Sequence, residues 1–203
     1  MTPRTTIRTW HTRRVPGLTM TALHIDAGDV VLRKAREADR GAIIAHVTDP
    51  DVRAHLGGPQ PRAGVERDLD EAGIAAVTEA PGAYLIAAKP TDGFVGTMSL
   101  TRRGVHHPGH ISPDGEELEL AYTLSPSAWG RGLAFAAATA LLRRAAAELP
   151  AEPVIIVTQS ANARSLNLAR RLGFRPAMTF EEYGAEQTLA VVNLGDFATR
   201  AAP

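Results

Sequence analysis

A glycine-rich turn directly before a long helical stretch is the part of this sequence best suited to chemistry. Gly130 and Gly132 bracket Arg131, and a run without Gly or Pro follows from Leu133 to Leu149, dominated by the helix-favouring Ala, Leu and Arg. At a helix N-terminus the unpaired N–H groups point outward, and missing side chains let a phosphate approach. The spacing indicates a site for a phosphate-bearing ligand, although a tight turn that binds nothing has the same pattern.

The size of the available interactions favours an extended ligand. A helix dipole contributes roughly 0.3–1 kcal/mol, or about 2 in good geometry, whereas micromolar binding requires about 8 kcal/mol. Several N–H bonds to a diphosphate and contacts along a longer ligand body must supply the difference. The P-loop is excluded because the stretch has no Lys, and the dinucleotide fingerprint because Phe135 stands where a third Gly is needed.

A strand pattern precedes the turn and positions it. Alternation puts four side chains of this strand on one face, those of Leu118, Leu120, Tyr122 and Leu124. Pro126 cannot donate a hydrogen bond to a neighbouring strand, so the strand is expected to end near it. The sequence thus predicts a strand, a glycine turn and a helix in direct succession.

Residues 129–134, which read Trp-Gly-Arg-Gly-Leu-Ala, resemble the acetyl-CoA pyrophosphate loop of the GCN5-related N-acetyltransferases (GNAT). The segment Asn162-Ala-Arg-Ser165, followed by Leu-Gly-Phe at 172–174, is similar to the subgroup that includes the ribosomal-protein N-terminal alanine acetyltransferases. The opening Val-Leu-Arg at 31–33 also resembles that subgroup. The resemblance covers about residues 29–195. It implies an α/β (α+β) domain in which helices flank a mixed, largely antiparallel sheet.

The resemblance implies acetyl-CoA as the co-substrate and no metal. The residues that it assigns to the cofactor are Leu124, Trp129, Gly130, Arg131, Gly132, Leu133, Ala134 and Asn162. Trp129 departs from the usual Gln or Arg, and its indole cannot bond a phosphate as those side chains can. The backbone of Leu124 is implied to contact the acyl or pantetheine part, and Asn162 the pantetheine arm. A plain core leucine and a plain helix N-cap are compatible with both assignments.

Amide formation needs a group that removes a proton from the amine, and two glutamates compete for that role. Glu119 lies on the strand face opposite Leu120, beside the position that the resemblance gives the thioester, and is the first candidate. Glu117 shares that face and is its rival. The sequence is equally compatible with proton transfer relayed by a water molecule, and with two glutamates that are simply exposed to solvent.

Ser165 is the candidate for assisting the leaving group. The wider family often carries a tyrosine four residues further on as general acid, but this chain has Ala169 there. The Ser165 hydroxyl could instead donate a hydrogen bond to the departing sulfur.

The expected reaction is direct attack of a primary amine on acetyl-CoA, with both substrates bound together. An acyl-cysteine is excluded because the chain has no cysteine, and an acyl-serine would require an activating base beside Ser165. The acceptor, a protein N-terminus or a small-molecule amine, stays open. A catalytically silent acyl-CoA-binding regulatory module and a pure interaction domain are the alternative functions.

Composition limits the partners. The 203 residues fit one domain, and 22 basic residues balance 22 acidic ones, which argues against nucleic acid as the main partner. The absence of cysteine excludes disulfides and thiolate metal sites. No stretch has the length of a membrane span or the apolar core of a signal peptide. A cytoplasmic enzyme without a membrane partner is expected, and a homodimer is left open.

The remaining pattern predicts one N-acetyltransferase domain over residues 29–195. Residues 1–28 are expected to be a disordered tail, with an alternative start at Met20, and residues 196–203 a second tail. The other predicted strands are 30–33, 83–88, 94–100, 154–158, 174–180 and 187–194, and the predicted helices are 36–47, 50–57, 62–79, 133–149 and 162–173.

A long connection at residues 101–115 contains three histidines, His106, His107 and His110. They suggest a metal site, but the connection is rich in Gly and Pro, and neither Cys nor a fixed carboxylate geometry supports that interpretation. The sequence favours a flexible, solvated loop near the acceptor site.

Overall fold

A single sheet of eight strands runs through the centre of the protein. The computed structural model describes residues 20–112 and 115–198. The strands are β1 His24–Ala27, β2 Val30–Arg33, β3 Ala83–Ala88, β4 Gly93–Arg102, β5 Leu118–Leu124, β6 Pro153–Gln159, β7 Arg175–Glu182 and β8 Ala185–Asn193. Their spatial order is β1-β2-β3-β4-β5-β6-β8-β7, and every neighbouring pair is antiparallel except β5 and β6. The mixed, largely antiparallel sheet predicted from the sequence is confirmed.

Helices cover both faces of the sheet and divide the core into two clusters. The helices are α1 Arg40–Val47, α2 Arg62–Ala72, α3 Leu133–Glu148 and α4 Ala163–Leu172. Side chains of α3 and α4 are buried in one cluster together with Leu118, Leu120 and Leu124 of β5. The other cluster joins α1 and α2 to the opposite face. Within the described part of the chain, no helix combines the length and apolarity that crossing a membrane requires.

The helix predicted at residues 50–57 is wrong, because this segment forms consecutive turns. Asp49 accepts hydrogen bonds from the N–H groups of Asp51 and Val52. The Arg53 side chain donates to the carbonyl groups of Leu56 and Gly58, which holds the chain in a compact turn. The backbone bonds of this segment have mixed spacing, from the Arg53 N–H to Asp49 and from the Leu56 and Gly58 N–H groups to Arg53, so they form turns and not a continuous helix.

The helical stretch predicted at residues 62–79 is interrupted. Gly73 has a φ of +76°, which ends α2, and a short 3₁₀ helix follows over Ile74–Thr78. The four apolar residues expected to face the core are nevertheless buried, namely Val65, Leu69, Ile74 and Val77. The periodicity therefore identified the buried face although the helix is divided.

Ordered structure extends beyond both predicted domain boundaries. β1 lies inside the predicted tail of residues 1–28, yet it pairs with β2 along its whole length. At the other end, a 3₁₀ helix spans Leu194–Phe197, and Phe197 is buried in the main core. Both segments are short, so periodicity alone gave little signal for them. Residues 1–19 and 199–203, which hold the rest of the predicted tails, lie outside the described residues.

β5 and β6 separate soon after they meet. They pair only at Leu118–Val154 and Glu119–Ile155, although both strands continue for several residues. β5 is hydrogen-bonded to β4 along its full length, and β6 to β8 along its full length. Each strand is therefore held by its outer neighbour, and a wedge opens between their carboxyl ends. We call this opening the β5–β6 wedge.

The β5 side of the wedge depends on a close backbone contact with β4. Gly96 pairs with Leu124, and a Cβ atom at Gly96 would lie 2.1 Å from the carbonyl oxygen of Thr123. A side chain cannot occupy that position without moving the strand. Gly96 is therefore required for β5 to stay in register beside β4.

A buried histidine of α1 holds the end of β5 from the other face. His46 is 4% exposed, and its ring nitrogens lie 2.7 Å from Thr123 Oγ1 and 3.1 Å from Ser125 Oγ. Burial lowers the pKa of His46 to about 4. The imidazole is thus neutral near pH 7, and it links α1 to the residues on both sides of Leu124.

We expect Gly96→Ala to lower the free energy of unfolding by at least about 1–3 kcal/mol, the usual cost of forcing atoms into a filled space. Gly41→Ala is the matched control, since Gly41 lies in α1 and a Cβ there would meet no atom within 4 Å. That control should gain about 0.5–1 kcal/mol from helix propensity. Urea unfolding of both variants measures the difference, and equal effects would contradict the close-contact argument.

We expect acid to destabilise the protein through His46. Because its folded-state pKa is depressed, its contribution is complete above the unfolded-state value of 6.5 and is lost as the pH falls towards about 4. The loss from this group amounts to at most about 3 kcal/mol. Unfolding free energies measured from pH 7.5 to 4 should show a flatter profile for His46→Gln than for wild type or for the exposed control His24→Gln. Identical profiles for His46→Gln and wild type would contradict this assignment.

Candidate active site

A short 3₁₀ helix, Pro126–Ala128, follows β5, and the glycine turn of residues 129–132 then leads into the first turn of α3. Gly130 and Gly132 have φ angles of +73° and +76°, which glycine adopts without strain. A Cβ atom at either glycine would meet no heavy atom within 4 Å. Open space therefore lies beside the first N–H groups of α3, which have no acceptor within the helix. Leu133 is buried and anchors that turn, while Arg131 is exposed. We call these residues, together with Ala134, the cradle, and an open helix N-terminus of this kind suits an anion.

Trp129 connects this turn to β5. Its indole Nε1–H donates a 2.8 Å hydrogen bond to the carbonyl oxygen of Leu124. The Arg164 guanidinium of α4 lies 4.3 Å from the centre of the same indole ring. Trp129 thus fixes the turn against the strand end and meets a positive charge from across the wedge. This contact explains how a residue that cannot bond phosphate through its side chain supports the turn.

Asn162 begins α4 on the other side of the wedge. Its Oδ1 accepts from the N–H of Ser165 at 3.2 Å, which confirms the predicted N-cap. Its Nδ2 donates to Thr158 Oγ1 of β6 at 3.2 Å. The amide is therefore fixed between the end of β6 and the start of α4, beside the wedge.

Ser165 meets a partner that the sequence pattern did not single out. Its Oγ lies 2.9 Å from the hydroxyl of Tyr122, which belongs to β5. The contact crosses the wedge from β5 to the first turn of α4. Ala169, at the position where a tyrosine was considered, is buried in the core.

Glu119 lies on the opposite face of β5, at the last residue that pairs with β6. Its carboxylate accepts from the Arg103 guanidinium at 3.2 and 3.3 Å. Arg103 is 5% exposed and also donates to Glu182 Oε2 of β7 at 2.9 Å. Burial raises the pKa of Glu119, and the Arg103 charge opposes that shift only in part. A carboxylate with a raised pKa at the closed end of the wedge is suited to accept a proton.

Glu117, the rival base, is fully engaged by neighbouring backbone. It accepts hydrogen bonds of 2.7 Å from the N–H groups of Ile111 and Ser112 and lies 2.7 Å from His110 Nδ1. Burial would raise the pKa of Glu117, but these hydrogen bonds outweigh it and lower the pKa to about 2. A carboxylate this acidic is a weak base, and its oxygens anchor the preceding loop.

The histidine loop is held in place where the structure describes it, at residues 103–112. His107 Nδ1 lies 2.8 Å from Glu182 Oε1. Phe180 of β7 lies against Gly109, where a Cβ atom would come within 2.1 Å of the ring. The predicted flexible loop is therefore attached to β7 through both contacts. Among the residues described, no group of three or more His, Asp or Glu side chains could hold a metal ion.

Several residues near the wedge carried no recognisable signal in the sequence. Arg103 and Glu182 are 79 residues apart in the sequence, and the folding of the sheet brings them into contact. His55 Nδ1 lies 3.0 Å from Gln159 Oε1, which brings the turn segment of residues 49–58 to the end of β6. For Tyr122 the sequence did give a signal, because alternation along β5 placed its side chain on the same face as Leu120 and Leu124.

Known structures share this architecture. A GNAT-family acetyltransferase from Bacillus anthracis superposes with a TM-score of 0.67 and 17% identity, covering 84% of this chain and 98% of that chain. The Salmonella typhimurium enzyme that modifies the N-terminal serine of a 50S ribosomal subunit protein gives 0.60 and 19%, covering 84% and 98%. Spermidine N-acetyltransferase from Vibrio cholerae, in complex with CoA and spermine, gives 0.62 and 10%, covering 83% and 98%. At these identities the likeness establishes the fold.

Sequence comparison extends the likeness to a family. The acetyltransferase (GNAT) domain family matches residues 29–175, which include the glycine turn, the wedge and all of α4. The matched region ends at the first residue of β7, so the β7–β8 hairpin lies beyond it. The chain therefore belongs to the GNAT family and is an acetyltransferase.

Proposed function

We propose that this protein transfers an acetyl group from acetyl-CoA to a primary amine by direct attack within a ternary complex. The observation that carries the proposal is the β5–β6 wedge with the glycine turn at its mouth. An open turn with free N–H groups and a strand opening beside it suit a ligand that has a diphosphate at one end and a long arm.

In this proposal, the cradle of Gly130 to Ala134 binds the pyrophosphate through backbone N–H groups. Trp129 holds the cradle against β5. Further along the wedge, the backbone of Leu124 contacts the acyl or pantetheine part, and the Asn162 amide contacts the pantetheine arm. Because the helix dipole alone is too weak, these contacts along the arm supply most of the binding energy.

Glu119 is the proposed base that removes a proton from the acceptor ammonium, directly or through one water molecule. Its raised pKa brings its basicity closer to that of an amine than an ordinary carboxylate would be. Glu117 is disfavoured in this role because both of its oxygens accept hydrogen bonds and its pKa is lowered.

Direct transfer is supported by the surroundings of Ser165. An acyl-serine intermediate would require a His or carboxylate that deprotonates Oγ, whereas this hydroxyl is bonded to the phenol of Tyr122. Ser165 instead acts late, by donating a hydrogen bond to the departing sulfur.

The acceptor is assigned here only as a primary amine. Among the structural relatives, one modifies an N-terminal serine and another is a spermidine acetyltransferase. Both a protein N-terminus and a small polyamine are therefore to be tested as acceptors.

A catalytically silent acyl-CoA-binding module is the second candidate, favoured by one observation. The Glu119 carboxylate is ion-paired with Arg103, and an ion-paired carboxylate is a weaker base than a free one. If this candidate is correct, acetyl-CoA binds but no acceptor causes release of free CoA thiol beyond hydrolysis.

The first test compares acetyl-CoA binding and thiol release for wild type, Gly132→Val and Gly28→Val. Gly28 is a matched control because it also has a positive φ and open space around its Cβ position, in the β1–β2 turn. The new side chain at residue 132 would fill the phosphate cradle, so calorimetry should show at least about a tenfold to hundredfold weaker Kd, equivalent to one lost charged hydrogen bond.

Gly28→Val should keep the wild-type affinity. Equal affinity of Gly132→Val and wild type would remove the pyrophosphate assignment. A screen of peptides and amines for thiol release, corrected for hydrolysis, then identifies the acceptor.

Glu119→Gln should lower kcat by roughly 10²-fold or more, because a neutral amide cannot accept the proton. In wild type, kcat/KM should rise as the pH rises through the raised pKa of Glu119. In the variant, this rise of kcat/KM with pH should be absent. Initial rates measured over pH 5.5–9 with both substrates varied test this, and intersecting lines are expected for a ternary complex.

The control is Glu71→Gln, which removes an exposed carboxylate of α2. Parallel initial-rate lines, together with an acetylated Ser165 in the intact mass, would overturn direct transfer. A fully active Glu119→Gln would reassign the base to water.

A further inference from the structure

The hydrogen bond between Tyr122 and Ser165 joins the two sides of the β5–β6 wedge. Tyr122 lies on the β5 face towards α3 and α4, and its ring is half-buried against the main core. Ser165 lies in the first turn of α4. The oxygen–oxygen distance is 2.9 Å, while the Ser165 carbonyl oxygen is further from the phenol, at 3.4 Å.

Either hydroxyl can donate in this bond. When the phenol donates, the serine Oγ at 2.9 Å is a better placed acceptor than the carbonyl oxygen at 3.4 Å. The N-cap bond occupies the backbone N–H of Ser165 and leaves its hydroxyl proton unused. When Tyr122 donates to Oγ, the hydroxyl proton of Ser165 is free to turn towards the wedge.

We propose that Tyr122 is a positioning residue that orients Ser165 and supplies it with a proton when the CoA thiolate leaves. The inference rests on the proposed function and deepens the role of Ser165 within it. A serine hydroxyl alone is a poor proton donor, whereas a phenol is a stronger acid than an aliphatic hydroxyl.

The step balances as follows. The acceptor nitrogen forms its bond to the acetyl carbon, and the carbon–sulfur bond breaks with its electron pair on sulfur. The Ser165 hydroxyl proton moves to that sulfur, and the Tyr122 phenol proton moves to Ser165 Oγ. The phenolate left on Tyr122 recovers a proton from solvent after the products leave, and the proton lost by the amine goes to Glu119.

The surroundings of Tyr122 are consistent with a role as proton donor. Burial raises the pKa of Tyr122, and the hydrogen bond with Ser165 acts against that shift. The phenol therefore stays protonated near pH 7. The position four residues after Ser165 is Ala169, which is buried and cannot provide a hydroxyl to the wedge.

A purely structural role predicts different results. If Tyr122 only braces α4 against β5, its loss should disturb the shape of the wedge and therefore acetyl-CoA binding. If it supplies a proton through Ser165, its loss should lower the rate of transfer and leave binding almost unchanged. The number of protons that move in the rate-determining step separates the two roles further.

The test uses full-length wild type, Tyr122→Phe, Ser165→Ala and the double variant, with acetyl-CoA and a primary amine acceptor found by the thiol-release screen. Single-turnover transfer rates are measured in mixtures of H₂O and D₂O. The matched control is Tyr84→Phe, which also removes a buried tyrosine hydroxyl, one that donates at 2.8 Å to the Ala22 carbonyl in a different part of the fold.

We expect Tyr122→Phe to lower the transfer rate about tenfold and to change the KM for acetyl-CoA less than twofold. The double variant should be no slower than Ser165→Ala alone. The dependence of the transfer rate on deuterium fraction should be more strongly curved in wild type than in Tyr122→Phe, because one fewer proton moves in the variant. Tyr84→Phe should match wild type in both measurements.

Several outcomes would overturn the inference while leaving the proposed function intact. They are an unchanged transfer rate for Tyr122→Phe, rate losses that multiply in the double variant, a rise in the KM for acetyl-CoA without a rate loss, and the same deuterium dependence with and without the phenol. If wild type releases no thiol with any acceptor, the proposed function fails, and this inference fails with it.

Discussion

The separation of β5 from β6 is the constraint on which the rest of the structure depends. A parallel pair that continued to the strand ends would close the sheet and leave no space between Leu124 and Gln159. Instead, β4 and β8 take the hydrogen bonds of the two strands along their full lengths. Each strand therefore keeps one fully bonded edge, while the backbone groups of its other edge face the wedge beyond Glu119 and Ile155. Gly96 and His46 then fix the β5 side, so the opening has a defined shape.

Alternation along β5 divides the proposed chemistry between the two faces of the sheet. Tyr122 points to the face of α3 and α4, where it meets Ser165, and Glu119 points to the other face, where it meets Arg103. Proton removal from the acceptor and proton delivery to the leaving group are thus assigned to opposite sides of one strand. The wedge joins those sides, which allows an amine and a thioester to meet from different directions.

Two glutamates two residues apart show how strongly tertiary surroundings decide a chemical role. Glu117 accepts hydrogen bonds from His110 and from two backbone N–H groups, which hold its pKa low and make it an anchor for the histidine loop. Glu119 lacks such bonds and is half-buried, and the loss of solvent contact raises its pKa more than the shared Arg103 lowers it. The two residues lie on the same face of one segment, and only the folded loop distinguishes them.

The sequence by itself determined the features that depend on neighbouring residues. These include β5 and its end before Pro126, the glycine turn before α3 and the Asn162 cap. Each follows from alternation, propensity or capping within a few residues. The tertiary structure decided the contacts between distant segments, such as Arg103 with Glu182 and Tyr122 with Ser165. It also has turns in place of the helix expected at residues 50–57, with the Arg53 side chain bonded to the carbonyls of Leu56 and Gly58. Pairings of this kind depend on strand order and register, which no local pattern encodes.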